Sequence, residues 1–324
     1  MIVRWGLAGL PGLLAECGIS EPLAVTTPRW TALDLPAART YDGVKPHVPS
    51  STVAAALGAA EGADGLLAVG GGSAIDTAKA VSVGTGLPVV SVPTTYSGAE
   101  WTSRYGVLDE ERGTKGGGSG AHLRGILYDE ELTVSLPRDQ TGGTALNALA
   151  HCAEALYVEG RNEESDREAL AGAALISRSL PAVLADGDDR AARRELLQGA
   201  CHAGAALEGA GLGLAHAVAQ ALGGRFGIPH GAANALSLAP ALRFNEPVAG
   251  AVIARLAEAM GVDDAADRAE ELARLAGFER LRDLGVPEEG LDEVAELAAA
   301  RPGNRANPRR ASADEIRGLL RAIW

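Results

Sequence analysis

The stretch Leu66 to Ala80, LLAVGGGSAIDTAKA, decides how the chain is read. Leu66 to Val69 is an apolar run of strand length, Gly70-Gly71-Gly72-Ser73 is a tight turn, and a helix opens at Ala74. Glycine admits positive φ and lets a ligand approach the backbone with no side chain in the way. The start of the helix adds free N–H groups and the positive end of its dipole. Such a turn is a phosphate cradle, and its natural guest is the pyrophosphate of a nucleotide cofactor. The spacing is neither GxGxxG nor GxxxxGK[ST]. Taken alone it also fits a plain strand-to-helix turn.

On the amino-terminal side, Gly9 to Cys17 reads as a short helix stopped by Gly18, and Pro22 to Thr26 as a strand turning at Thr26-Thr27-Pro28. Tyr41 to Pro49 is extended by its prolines, with His47 on the surface, and Ser50-Ser51-Thr52 caps a helix from Val53 to Glu61. On the other side, Leu87 to Val92 is a second buried strand, running into Pro93-Thr94-Thr95-Tyr96-Ser97-Gly98-Ala99-Glu100-Trp101-Thr102. Asp109 to Gly120 is a surface hairpin or mobile loop, its glycines flexible rather than a second phosphate turn, and Leu123 to Tyr128 is a last strand. Strands alternating with helices predict βαβ units and a parallel sheet. Loops at the carboxyl ends of such strands line the ligand crevice, so the glycine turn and the hydroxyl-rich loop are expected to face one cleft.

From Gln140 the pattern becomes helical throughout, with helices expected near 140–158, 163–184, 189–208, 211–222, 231–244, 248–260, 263–275, 289–299 and 313–323. The expected domains are therefore an α/β nucleotide domain over 1–136 and a helical domain over 137–324. A net charge of −13 with no basic stripe argues against a nucleic-acid partner. Three cysteines, far apart, point to reduced thiols in a cytoplasmic protein. The start of the chain lacks a signal peptide pattern, and no segment is expected to reach the roughly 20 apolar residues of a membrane helix.

Three histidines stand out in apolar surroundings in the helical half: His151, His216 and His230. Imidazoles suit zinc or iron(II), although each alone is more commonly a hydrogen-bonded structural residue. Asn147, four residues before His151, shares its helix face. It stands where a carboxylate would strengthen a cation site, and a neutral amide brings no charge.

The runs GGGSAIDTAKA, PTTYSGAEWT, NALAHCAEALY (Asn147 to Tyr157) and GLAHAVAQALGGRFGIPHGAANA (Gly213 to Ala235) resemble the iron-containing alcohol dehydrogenase superfamily, and most closely its maleylacetate reductase branch. The resemblance extends over nearly the whole chain. It implies a Rossmann-like nucleotide domain followed by an all-helical domain, a dehydroquinate synthase-like architecture, with the active site between them and chains paired as homodimers. Tyr96 and a loop one residue short favour the reductase branch. So does Asn147, which replaces an aspartate metal ligand; in the metal branch His151, His216 and His230 would complete the ligand set. Gln220, Arg225 and Gly231-Ala232-Ala233-Asn234 depart from the reductase pattern.

The resemblance implies an NAD(P)H-dependent oxidoreductase that passes hydride to a small unsaturated or keto carboxylic acid, maleylacetate giving 3-oxoadipate, with no metal. Gly71, Gly72 and Ser73 are expected to hold the pyrophosphate, and Thr94, Thr95, Ser97 and Thr102 the ribose and nicotinamide side. Thr27 and Lys115 join the cofactor set. With Thr26-Thr27 where an acid would select NAD, and Arg29 nearby, NADH is expected with NADPH accepted. His151, His216 or His230 donates the proton, and Tyr96 positions substrate or donates. Asn147, Arg225 and Arg104 face the substrate, the arginines as carboxylate forks, with Lys115 also a candidate there. The alternatives are a metal-dependent alcohol dehydrogenase and a nucleotide-binding homologue without catalysis.

Overall fold

In the computed structural model the described residues are 1–111 and 114–324, with the backbone alone described at Thr114 and Lys115. Two compact units divide the chain, Met1–Ser135 and Leu136–Trp324.

The first unit runs β1 (Ile2–Trp5), α1 (Leu10–Glu16), β2 (Pro22–Val25), β3 (Arg39–Tyr41), α2 (Ser50–Ala59), β4 (Gly65–Gly70), α3 (Gly72–Thr85), β5 (Pro88–Pro93), β6 (Tyr105–Asp109), β7 (Thr114–Gly118), β8 (His122–Tyr128) and α4 (Glu131–Val134). Among the described residues, six of these strands form a parallel sheet in the order β1-β8-β5-β4-β2-β3. Every residue of β4 is buried, because side chains alternate to two covered faces. Leu66 and Ala68 pack with Ala56 of α2 and with Ile75, Ala78 and Val81 of α3. Leu67 and Val69 meet Leu10, Leu13 and Leu14 of α1 on the other face. The chain steps outward from β2 to β3, then returns to β4 and continues through β5 to β8. The change of direction therefore falls between β2 and β4, where open parallel sheets hold their ligands.

Several local expectations are corrected. The edge strands β1 and β3 were not foreseen; they are four and three residues long, with Arg4, Arg39 and Thr40 exposed. Ser50, Ser51 and Thr52 lie inside α2, which begins after Pro49 and has no side-chain cap. Gly116 to Gly118 are not flexible loop but strand residues of β7, paired antiparallel with β6. His47 and Val48 are not extended but left-handed, at φ 64° and 54°.

The second unit contains α5 (Arg138–Ala155), α6 (Glu163–Ala185), α7 (Arg190–Ala210), α8 (Leu214–Phe226), α9 (His230–Met260), α10 (Ala265–Leu275), α11 (Leu291–Ala299), α12 (Pro302–Ala306) and α13 (Ala313–Ala322). The two helices expected over 231–244 and 248–260 are one element, bent at Ala249 (φ −127°, ψ 17°) just beyond Pro247. Small residues let the backbones close up around the histidines. A Cβ on Gly231 of α9 would fall 2.5 Å from the carbonyl carbon of Gly143 in α5. A Cβ on Gly303 of α12 would fall 2.4 Å from the carbonyl oxygen of Gly213, just ahead of α8. The expectation that no segment matches a membrane span is also corrected: α6 is long and apolar enough by length and composition, with a mean hydropathy of 1.3 over its best window, half of it buried. Asn162 and Ser165 form a capping box at its start, and Ile176, Leu180 and Val183 are core residues.

Candidate active site

At the end of β4 the turn has the shape of an anion cradle. Gly70 adopts φ +149°, a conformation L side chains rarely take, and a Cβ there would lie 2.8 Å from Ala74 Cβ. A Cβ on Gly71 would lie 2.9 Å from Thr95 Cγ2. Helix α3 starts at Gly72 with no side-chain cap among the described residues, which leaves its first N–H groups for an anion. Gly71, Gly72 and Ser73 are partly exposed. Beside them Thr95 Oγ1 is a buried hydroxyl with no partner among the described residues. Such an orphan suits a ligand oxygen. The Thr94 N–H donates to the Gly70 carbonyl at 3.0 Å, tying the loop after β5 to the turn. Ser97 Oγ lies 3.6 Å from where a Gly72 Cβ would stand. Thr26 Oγ1 donates to the Val69 carbonyl at 2.7 Å, which joins the ends of β2 and β4, and Thr27 follows at the head of a short 3₁₀ turn. This arrangement fits a dinucleotide.

Other members of the expected cofactor set have structural duties. Tyr96 is fully buried and its hydroxyl lies 3.1 Å from Thr133 Oγ1; it anchors the loop and does not offer its hydroxyl to a substrate. Thr102 is buried, its hydroxyl donating to the Arg104 carbonyl at 3.3 Å. Arg29 donates to the carbonyl and the hydroxyl of Ser135, both at 2.5 Å, and so is already engaged. The side chain of Lys115 lies outside the described residues. Arg104 is exposed.

The loop owes its shape to Lys79, which is 1% exposed on α3. Its ammonium donates to the carbonyls of Ala99 (2.8 Å), Thr102 (3.2 Å) and Arg104 (2.5 Å) and pairs with Asp76 at 2.7 Å. Glu100 is equally buried. Tyr128 Oη donates to its Oε1 at 2.8 Å, and Trp101 Nε1 donates to Tyr128 Oη at 2.8 Å. Burial pushes the Glu100 carboxyl above the usual carboxylate range.

In the helical unit, α5, α8 and α9 bring the three histidines together. His151 and His216 lie nearly parallel, centroids 4.7 Å apart at 13°. His230 is 5.6 Å from His216 at 51°. His151 is buried, and its Nδ1 has no partner among the described residues. Burial holds it well below the ordinary histidine pKa, with the His216 and His230 charges acting the same way. Asn147 stands among them: its Oδ1 accepts from Asn234 Nδ2 at 2.7 Å and lies 3.3 Å from His216 Nε2. Asn234 Nδ2 is also 3.1 Å from His230 Nε2. His216 is 1% exposed, whereas His230 reaches the surface. Arg225 closes α8 on the outside, paired with Glu293 at 2.6 Å and stacked on Phe226, so one carboxylate partner is already in place.

Residues 7–124 match the iron-containing alcohol dehydrogenase model, and residues 141–324 match the C-terminal model of the Fe-containing alcohol dehydrogenase family. The chain belongs to the iron-containing alcohol dehydrogenase family. Maleylacetate reductase of Burkholderia cepacia is 36% identical, over 98% of this chain and 94% of its own. The crystal structure of maleylacetate reductase from Rhizobium sp. strain MTP-10005 superposes with a TM-score of 0.92 at 31% identity, over 100% of this chain and 95% of that one. The iron-containing alcohol dehydrogenase of Corynebacterium glutamicum gives 0.92 at 29% identity, over 100% and 94%. The chain is accordingly an NAD(P)-dependent oxidoreductase of maleylacetate reductase-like type.

The family name implies iron, and metal ligands must converge on one point. Among the described residues no group of three or more His, Cys, Asp or Glu side chains could hold a metal ion. The rings of His151 and His216 lie face to face, and an amide occupies the centre. The donor set as arranged does not fit the ion.

Sequence reasoning passed over Lys79, Glu100, Glu154 and Asn234. Glu154 offered a signal: it lies three residues after His151 in a helix otherwise almost free of charge. A carboxylate there is either on an exposed face or doing work inside.

Proposed function

We propose that the chain reduces maleylacetate to 3-oxoadipate with NADH, without a metal, as a cytoplasmic homodimer. The observation that carries this reading is Asn147 in the midst of the histidines, its Oδ1 accepting from Asn234 Nδ2 and facing His216 Nε2. A hydride-transfer site without a metal needs hydrogen-bond donors for the developing negative charge and a proton source. Gly71, Gly72 and Ser73 hold the pyrophosphate on the uncapped start of α3, and Thr95 offers its hydroxyl beside them. A nicotinamide bound there would supply hydride, two electrons and a hydrogen nucleus, for the alkene carbon of the substrate. His216, carrying hydrogen on both ring nitrogens, delivers the Nε2 proton to the adjacent carbon and keeps that on Nδ1, which balances the reaction. His151, held neutral by burial, serves as the stacking wall for His216. Asn147 and His230 orient the conjugated ketone, and Arg104 is the candidate for a substrate carboxylate, Arg225 being committed to Glu293. NADPH is accepted as well.

The test is NADH oxidation with maleylacetate and with simple aldehydes, each with and without EDTA. Turnover of maleylacetate at an unchanged rate in EDTA is the expected result. Aldehyde turnover that EDTA abolishes would overturn the reading in favour of a metal-dependent alcohol dehydrogenase.

A further inference from the structure

We infer that Glu154 is the positioning residue of His216: one buried carboxylate caps α8 from a neighbouring helix and holds a hydrogen on Nδ1 of the His216 ring, leaving Nε2 as the nitrogen that faces Asn147. Glu154 is 0% exposed on α5. Its Oε2 accepts from the Gly213 N–H at 2.7 Å and from His216 Nδ1 at 2.6 Å. Its Oε1 accepts from the His216 backbone N–H at 3.2 Å. Gly213 is the residue before α8, and no side chain of its own caps that helix. Of the amides at this helix start, which helix geometry leaves without partners, those of Gly213 and His216 find their acceptor on another helix, and that of Leu214 reaches Asn307 Oδ1 at 3.4 Å. The approach is close: a Cβ at residue 213 would stand 3.0 Å from Glu154 Oε1, and the carboxylate would have to give way to it.

A carboxylate that accepts from two backbone amides offers only lone pairs to the ring. His216 must therefore carry hydrogen on Nδ1, and Nε2 faces Asn147 Oδ1, to which it donates only when the ring carries both hydrogens. The parallel stack on His151 at 4.7 Å restrains rotation of the ring about its long axis. Position and tautomer are thus both set from outside the reacting atoms, and the negative charge stabilises the ring whenever it becomes positive.

The role in turnover rests on the reductase reading above; the hydrogen placement does not. The first experiment uses the unaltered enzyme. ¹⁵N-histidine NMR should show His216 with hydrogen on Nδ1, and a bare Nδ1 overturns the inference outright. The second is Glu154→Gln, in which an N–H donor replaces one of the two oxygens: set in the Oε2 position it faces the ring and no longer accepts from Gly213, while the remaining oxygen keeps the His216 backbone N–H. Expected are a bare Nδ1, a kcat with maleylacetate lowered about 100-fold or more, and an unchanged KM for NADH. Glu154→Asp, which keeps the charge, should recover part of the kcat. Wild-type kcat in Glu154→Gln overturns the inference. If the unaltered enzyme shows hydrogen on Nδ1 yet fails to oxidise NADH with maleylacetate, the reductase reading fails and the placement stands.

Discussion

Two glutamates, one in each unit, are buried to the same degree and live in opposite surroundings. Glu100 in the α/β unit is 1% exposed and Glu154 in the helical unit is 0% exposed. Glu100 takes one hydroxyl hydrogen bond, from Tyr128, and its Oε2 has no partner among the described residues. Glu154 accepts three N–H donors and ends on an imidazole. Burial alone therefore does not assign a carboxylate its job; the donors aimed at it do. Glu100 accepts a single hydroxyl within the loop after β5, whereas Glu154 is built as an acceptor that organises a helix start and a ring.

The comparison breaks most readily on stability. Glu154→Leu leaves two backbone amides and the His216 Nδ1 hydrogen without an acceptor in a closed interior. Removing one partner of such a buried pair costs about 3–5 kcal/mol. Glu100→Leu strands a single hydroxyl, and about 2 kcal/mol bounds that loss. Urea denaturation followed by circular dichroism should rank the two variants in that order. Equal losses would mean that the donors around Glu154 are of no special weight.

This difference also shows what the sequence could disclose. The core strand β4 and its glycine turn were legible because a strand buried on both faces is apolar at every position, and only glycine fits the bend that follows. The three histidines were legible as isolated polar residues in alanine-rich helices. Glu154 was not, since a carboxylate on a helix reads as solvated until another helix is known to cover it. Tyr96 misled for the mirror reason: a hydroxyl in a polar loop reads as available, and its burial against Thr133 is set by tertiary packing. The edges β1 and β3 escaped because short strands with exposed polar residues carry little apolar pattern. Pro49 outweighed the serines beside it as the start of α2.

A second way to sharpen the contrast separates the cradle from the imidazoles. Gly71→Ala drives a methyl group against Thr95 Cγ2, 2.9 Å away, and Thr95 must shift to admit it. NADH affinity, read by quenching of tryptophan fluorescence, should weaken about tenfold, the equivalent of about 1.4 kcal/mol. The His216 NMR signature should not move. Loss of NADH affinity in Glu154→Gln to the same extent would show that the two units do not hold separate duties.

Acid sensitivity comes next in size. Burial depresses the His151 pKa from the ordinary 6.5, so the unfolded chain takes up a proton there that the folded one resists. The contribution of His151 is full above pH 6.5 and is lost as pH falls from 6.5 through its folded value. His151→Gln keeps a polar planar group and should flatten the melting temperature between pH 6.5 and pH 5. An unchanged slope in that window would place the acid sensitivity elsewhere.

The smallest effect is the mirror image. Burial raises the Glu100 pKa from the ordinary 4.5, so the folded chain retains a proton that the unfolded chain has released. Its contribution is full below pH 4.5 and is lost as pH rises through the folded value. Glu100→Gln preserves the acceptor for Tyr128 and never ionises. At neutral pH its stability should match or exceed the native protein by less than about 1 kcal/mol, and the difference should grow as pH rises from 4.5 through the folded value. A Glu100→Gln variant that is less stable at pH 8 would mean that the native side chain is held as a charged partner of Lys79, and the two buried glutamates would then be alike.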